Sequence, residues 1–484
     1  MKGITDFFKQ GNIRESFKTR QVKYGGYAAL LTLAVIVGLI LLNLILGQFS
    51  PQVDLTWSKI FSLSEQTLQV LDTIRTPVKF YGLWRPGEES QDVINVINLY
   101  VSRNPNISLE LVDPDRNPGF VVRYDRERQG ISRGSLIVEG EQGFRVIAPR
   151  DMYDYTTTQQ GGSSVTGVAV ERRISAALLF VSTGTTPVVY EITGLGEIPL
   201  SALGMQDTLE RENFALRSLN LMLADIPSDA SMLVLNSPQR DLAPAEAGKL
   251  LDYLEQGGRF MVLADYNIRE LYNLNEVLAS YGLEFNYGIV REIDPYYVAI
   301  DPRSAWPDLS DHEIARPLAD KTRTPVVLFE AMALSELETR RRTVELTPLM
   351  TSSSSAFLRS DLEDTSTSRQ PSDASGPLVL GMAVRDPSWI QGDEPQARIV
   401  AIGGGTLLPL AIQGFDANRD LFMNSLTWLD DRPETISVRS KSLFIMPLRM
   451  NLVQIIIFGA LFVFVIPMAF FATGFVTWLK RRHL

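Results

Sequence analysis

The sequence contains no cysteine. Disulfides, thiolate metal sites and thiol nucleophiles are therefore excluded. Histidine is almost absent as well. The two present are His312 and His483, and the second stands in a basic C-terminal run. No G-x-x-x-x-G-K-[ST] string occurs, so the chain carries no Walker-type phosphate loop and does not hydrolyse ATP through one. Positive charge is in deficit: the formal net charge is −10, which argues against nucleic acid as a partner of the main body. There is no internal repeat, and no cofactor is called for.

The chain has 484 residues, enough for two to four domains of roughly 100–200 residues each. Its 45% apolar content is unevenly spread. Tyr27–Gly47 carries no charge and a single amide, Asn43, and Leu452–Leu479 carries no charge. Each supplies the about 20 apolar residues of a spanning helix. The first run is too long for a signal-peptide core, and Gly47-Gln48-Phe49 is a poor cleavage site. Pro467 predicts a kink in the second span. Lys2, Lys9, Arg14, Lys18, Arg20 and Lys23 precede the first span, and Lys480, Arg481 and Arg482 follow the second. The positive-inside rule then puts both tails in the cytoplasm and the region from Gln48 to Arg449 outside, although Arg439, Lys441 and Arg449 flank the second span on its outer side. Small residues in that span, among them Gly459, Ala460, Ala469 and Gly474, permit close contact with another helix.

The expected order is a basic tail (1–26), span one (27–47), an α/β module (48–185), a larger α/β domain (186–440), a linker (441–451), span two (452–479) and a second tail (480–484). In the module, Ser62 and Glu65 have capping-box spacing. Strands are expected at Val78–Leu83 and Ile107–Val112, helices at Asp92–Val101 and Asn117–Arg128, and a hairpin at Ser135–Val138 and Phe144–Ile147. This β-α-β-α-β-β order resembles the thioredoxin-like fold, without its redox cysteines. Met152–Val165 reads as a loop and Val170–Val181 as a helix.

In the larger domain, strands at Val188–Ile192, Ala215–Leu219, Ser231–Leu235 and Arg259–Ala264 alternate with helices at Ser201–Asn213, Ala243–Gln256 and Ile268–Tyr281. That alternation implies a mostly parallel sheet covered on both faces. Thr351–Gly376 is rich in Ser, Thr and Asp and reads as a mobile loop. Strands return at Pro377–Val384 and Arg398–Ile402, before a helix at Asn418–Trp428 and a strand at Ile436–Arg439.

Ligands of such sheets bind at strand C-termini. Candidate ligand or partner residues are therefore Thr193, Asn236 and Asp265, with Gly194, Gly196 and Glu197 in the first turn and Gly403 and Gly404 after the last strand. Exposed N–H groups at Gly194 and Gly196 could take an anion; a tight turn with no ligand is the favoured alternative. Asn418 is expected to cap the final helix, with Arg419 a secondary binding candidate. No metal site is called: His312 with Asp308 and Asp311 offers one imidazole only. Acid pairs such as Asp113 with Asp115, Asp361 with Glu363 and Asp364, and Asp430 with Asp431 read as solvated surface.

Several stretches line up, in order, with one family: Asp54-Leu55-Thr56, Phe61–Thr67, Val112-Asp113-Pro114-Asp115, the Glu171 helix, Thr193–Glu197, Leu250–Asp265, Asn418-Arg419-Asp420 and Trp428-Leu429. The chain resembles the GldG-like, gliding-motility type auxiliary component of ABC transport systems. The resemblance implies a large flavodoxin-like domain, similar to sheets related to glutamine amidotransferases; the charge pattern of the tails makes the expected location of the body periplasmic. Where the family turn commonly has histidine, this chain has Leu195. Amidotransferase chemistry needs a Cys nucleophile and a His, so it is not inherited.

The expectation is a non-enzymatic accessory subunit. Its partners would be ABC permease and ATPase subunits on separate chains, the lipid bilayer, and an envelope protein or glycan. The alternatives are a tethered envelope hydrolase using two carboxylates, and a glycan- or peptide-binding receptor using Tyr296, Tyr297 and Trp306.

Overall fold

The computed structural model describes residues 27, 30–41, 62–125, 130–157, 163–267, 271–319, 325–364, 366–387, 396–430, 441–442 and 452–482. The chain divides into two units, Met1–Trp57 and Ser58–Leu484. In the first unit, Leu30–Leu41 is an apolar helix whose large side chains are exposed. The rest of the expected first span, the basic N-terminal tail and the strand at Ile436–Arg439 lie outside the described residues.

The second unit opens with helix Glu65–Thr73. Its cap is Ser64 and not Ser62: Thr67 N–H donates to Ser64 Oγ at 3.3 Å. The acid that completes the cap also differs from the sequence expectation. Ser64 N–H and Thr67 Oγ1 both donate to Glu171 Oε1, at 2.6 and 2.7 Å. A carboxylate from a distant helix displaces Glu65, which is exposed.

Four strands follow: β1 (Val78–Gly82), β2 (Ile107–Leu111), β3 (Leu136–Gly140) and β4 (Gly143–Ile147). They pair in the order β2-β1-β3-β4. The parallel β1–β2 pair needs a crossover, and helix Gln91–Arg103 supplies it. Its Val93, Val96, Ile97 and Tyr100 recur at helical spacing and are buried. Helix Val170–Thr183 packs over β3 and β4 and ends at Gly184, whose φ of +70° suits a left-handed cap.

Between them, Met152–Val165 is not a loop. β5 (Tyr153–Thr157) and β6 (Ser163–Val168) form a hairpin. Tyr and Thr alternation outweighs the polarity of this stretch. β6 also pairs with Lys441–Ser442, the described segment before the C-terminal helix.

The large sheet has ten strands. β7 (Val188–Ile192), β8 (Ala215–Leu219), β9 (Ala230–Asn236), β10 (Arg259–Leu263) and strand Ala397–Ile402 are all parallel and run in the order β8-β7-β9-β10-Ala397–Ile402. In chain order that is 2-1-3-4-5, the doubly wound arrangement. Successive side chains alternate between two cores. Met232, Val234, Met261, Leu263, Val400 and Ile402 enter one; Leu233, Leu235, Phe260, Val262, Ile399 and Ala401 enter the other. Burial on both faces is why these strands read as unbroken apolar runs.

The remaining strands, including β11 (Leu283–Asn286), Ala333–Glu336, Glu345–Thr351 and Val379–Asp386, are antiparallel. The sheet is thus parallel-rich in one half and antiparallel in the other, which narrows the expectation of a mostly parallel sheet. Helices in this domain are shorter than expected: Met205–Arg211 for Ser201–Asn213, and Tyr272–Ala279 for Ile268–Tyr281, of which residues 268–270 lie outside the described ones.

The expectation of a mobile loop at 351–376 is corrected. Phe357–Arg359 and Ala374–Ser375 pair within it. Arg359 is 1% exposed. Its Nε and one terminal nitrogen hold the Asp373 carboxylate at 2.9–3.1 Å. The guanidinium also donates to the carbonyls of Asp364, Ser366 and Ser368. One planar five-donor group therefore orders a segment with little apolar surface.

The final helix of the domain is Asp416–Leu429. At the C-terminal end of the chain, Ile456–Leu479 is the one helix among the described residues long and apolar enough to cross a membrane. Its large side chains are exposed. Pro467 is accommodated by a π-helical turn at Leu461–Val465. The wider turn relieves the clash of the proline ring with the preceding carbonyls.

Replacing Asp373 by Asn leaves the Arg359 charge buried with only Asp364 as a carboxylate partner. We expect a loss of about 3 kcal/mol, the low end for breaking a buried pair from one side, and faster amide exchange across 351–376. Thermal melting and hydrogen exchange measure both.

Candidate functional site

The chain reverses direction across the sheet between β7 and β9, so the crevice at their C-terminal ends is the expected ligand position. Thr193, Gly194, Gly196, Glu197 and Asn236 meet there. Gly194 and Gly196 have φ of +93° and +77°, which glycine alone adopts without strain. Two of the turn's N–H groups are already used. Gly194 N–H and Leu195 N–H donate to the two Glu197 oxygens at 3.1 and 2.7 Å. Leu195 is 1% exposed and packs into the core below the turn. Its carbonyl accepts from Gln239 and Arg240 N–H, and Arg240 Nε donates to Gly194 O at 3.2 Å. Asn236 Nδ2 donates to Ile198 O at 2.8 Å. The chain's own Glu197 carboxylate thus takes the Gly194 and Leu195 amides, while Gly194 and Gly196 themselves stay exposed.

The next strand ends bring in Asp265, Gly403 and Gly404. Asp265 Oδ2 accepts from Ser237 Oγ at 3.1 Å. Burial raises the Asp265 carboxyl above its usual range, against the Ser237 hydroxyl and the Asn267 and Tyr266 N–H groups that lower it. Gly403 lies against Met332: a Cβ there would stand 2.1 Å from Met332 O. Gly404 abuts Leu328 in the same way. These glycines permit close packing under the antiparallel half of the sheet.

Asn418 adjoins this edge from the final helix, and Arg419 faces a different cleft. The helix begins at Asp416, so Asn418 is not its cap. Its side chain is fully buried. Nδ2 donates to Val327 O and Leu407 O, and Oδ1 accepts from Val327 N–H, at 2.8–3.1 Å. It pins two loops to the helix. Arg419 pairs with Asp416 at 3.0 Å and lines a separate cleft between helices Met205–Arg211 and Asp416–Leu429 and the β5 side.

Sequence reasoning missed Ser237 and Glu330. Both have positive φ, +48° and +53°, a strain cost of order 1–3 kcal/mol each. Ser237 follows an apolar strand and precedes Pro238, and that sharp strand exit was its only signal. Glu330 accepts from Tyr266 Oη at 2.8 Å and from Arg303 at 3.1 Å. Ser237 is buried, and the described histidine is far from it. His312 sits by Arg398 at the opposite, N-terminal ends of the strands, with its ring edge-on to Trp428 at 5.3 Å. A serine–histidine base pairing is therefore absent among the described residues. One member of each named acid group is held in an ion pair: Asp115 with Arg85 and Arg133, Asp364 with Arg359, and Asp430 with Arg259. Asp431 lies outside the described residues. No group of three or more metal-ligating side chains occurs among those described.

Residues 186–425 match the model of an ABC transport auxiliary family, described as an ABC-type uncharacterized transport system. The match indicates an auxiliary component of an ABC transport system. It implies association with transporter components and, with the C-terminal helix, membrane association. No curated protein matches. Among solved structures, the mmIFT52 N-terminal domain is similar at 17% identity, covering 50% of this chain and 96% of its own, with a TM-score of 0.37. A ThuA-like protein from Parabacteroides merdae has 13% identity, coverage of 55% and 94%, and a TM-score of 0.31. A glutamine amidotransferase from Thermotoga maritima has 13% identity, coverage of 52% and 96%, and a TM-score of 0.25. No activity of these proteins is carried to this chain.

Two outcomes follow from this geometry. Glu197→Ala removes two charge-assisted bonds at a half-buried turn and lowers stability by about 1–2 kcal/mol; the Gly194 and Leu195 amides then exchange faster. Burial, reinforced by Arg398, lowers His312 from its ordinary 6.5 to about 4. Its Nδ1 accepts from Ile314 N–H at 3.2 Å, which requires the neutral ring. Between those two pH values the unfolded chain binds a proton that the folded one refuses, so stability falls as pH drops from about 6.5 to about 4. His312→Asn flattens that slope in a pH series of thermal melts.

Proposed function

We propose that this chain is a non-catalytic, membrane-anchored accessory subunit of an ABC transporter of the GldG-like type. The observation that carries the reading is the family match over 186–425. The absence of a Walker-type loop assigns ATP hydrolysis to another chain. The Glu197 carboxylate on the Gly194 and Leu195 amides at the switch point supports a body that acts by binding and docking. The body stands outside the cytoplasmic membrane, in the periplasm, held by two helices whose charged ends stay in the cytosol. It receives or passes on a substrate or an envelope partner. The module at 48–185 is read as thioredoxin-like without redox chemistry, supported by its β2-β1-β3-β4 order. Motility would be one setting for such a system.

The C-terminal helix packs on the permease through its small residues. An added Cβ at Gly459 or Gly474 meets nothing within 4 Å, leaving room for a neighbour. Pro467 and Gly474 share a groove walled by Phe470, Phe471, Phe475 and Trp478. Without a hydrophobic drive between helices in lipid, such close fit supplies the contact energy.

Tagged chain purified in mild detergent should bring down a permease and an ATPase, and Gly474→Leu should reduce their recovery several-fold without changing membrane insertion. Recovery of neither subunit with the unaltered chain would refute the reading. External protease on intact spheroplasts should digest the body and spare both tips.

A further inference from the structure

A second cavity lies away from the sheet edge. It is a cleft of about 480 Å³ between the hairpin lobe and the large domain, built by the start of β5, helix Val170–Thr183, helix Met205–Arg211 and helix Asp416–Leu429. Protein interiors are close-packed and leave few voids larger than a water, whereas ligand sites occupy about 300–1,000 Å³.

The floor is charged with both signs. Arg172 faces Asp154 at 3.1 Å, Glu212 at 3.3 Å and Asp420 at 3.8 Å, and Arg173 holds Glu212 at 2.6 Å. Burial pulls the Arg172 guanidinium down, but these carboxylates together hold it above its ordinary value. Burial and the adjacent Arg172 lower Arg173 to about 10. Arg172 Nε makes no hydrogen bond even so. At the mouth, Arg211 pairs with Asp151 at 3.0 Å and Arg419 with Asp416. Arg150 is exposed and has no ion pair among the described residues, and Tyr155 is 48% exposed beside it on the same wall.

This lining selects by charge pattern. An anion alone would meet Asp151, Asp154, Glu212 and Asp420. A cation alone would meet the arginines. An apolar ligand would leave both sets desolvated and unmatched. A ligand with an ammonium and a carboxylate can exchange internal pairs for its own and leave neither sign uncompensated. We propose that this cleft binds a short peptide with free charged termini, Arg150 and Arg419 taking its carboxylate, Asp154 and Asp420 its ammonium, and Tyr155 covering its backbone. The proposal stands apart from the transporter reading, since binding by the purified chain and recovery of a permease are separate measurements.

The test is calorimetric titration of the full chain in detergent with the tripeptide Lys-Ala-Glu. Parallel titrations use acetyl-Ala-Ala-Ala-amide, glutarate and 1,5-diaminopentane. Saturable binding of Lys-Ala-Glu is expected, with each of the others at least about tenfold weaker, a 1.4 kcal/mol difference. Arg150→Gln and Tyr155→Ala, both at exposed positions, should each weaken it about fivefold with an unchanged thermal melt. No saturable binding, equal binding of the capped peptide or of glutarate, or full affinity in both variants would overturn the proposal.

Discussion

Burial of a parallel sheet on both faces is the constraint on which the large domain depends. Parallel strands cannot be joined by tight turns, so each return passes over a face, and each face then needs an apolar layer. Strands β9, β10 and Ala397–Ile402 answer with side chains that feed two cores alternately. The same constraint gathers the polar strand ends at one edge. What that edge does is decided by the loops. Here Glu197 takes the Gly194 and Leu195 amides and Leu195 packs into the core below the turn. The fold supplies the edge, and local residues set which of its groups remain available.

The interface between the lobes follows a different physical rule. It is held by guanidinium–carboxylate pairs, with Arg172 and Arg173 reaching from one lobe to Glu212 and Asp420 of the other. Ion pairs are direction-dependent and tolerate water between them, so the interface encloses a cleft where an apolar one would have closed up. The two cavities of interest thus differ in origin. One is a property of strand topology; the other is a property of charged packing and is open.

Much of this architecture was legible in the residues. The buried strands announce themselves as apolar runs, and the helix at Pro244–Glu255 by its Pro entry and Gly exit. The strand ends at Thr193, Asn236 and Asp265 were placed correctly at one edge. What was not legible depends on long-range partners. Ser62 looked like a cap because its neighbour Glu65 has the right spacing, but Glu171 does the work from another helix. Asn418 has a capping residue's chemistry and spends it on Val327 and Leu407. Composition marked 351–376 as unstructured because it counts apolar area, and the segment is organised by one buried arginine. Ser237 and Glu330 carry strained backbone, and of the two only Ser237 has a sequence signal, the sharp strand exit before Pro238.

The pairing of β6 with Lys441–Ser442 bears on the order in which the chain can mature. The hairpin precedes the large domain in the chain, yet its outer edge waits for a segment that follows that domain. Until then β6 presents unsatisfied backbone groups, a surface prone to mispairing. The hairpin edge is therefore covered only once residues 441–442, which lie beyond the whole large domain in the sequence, are in place.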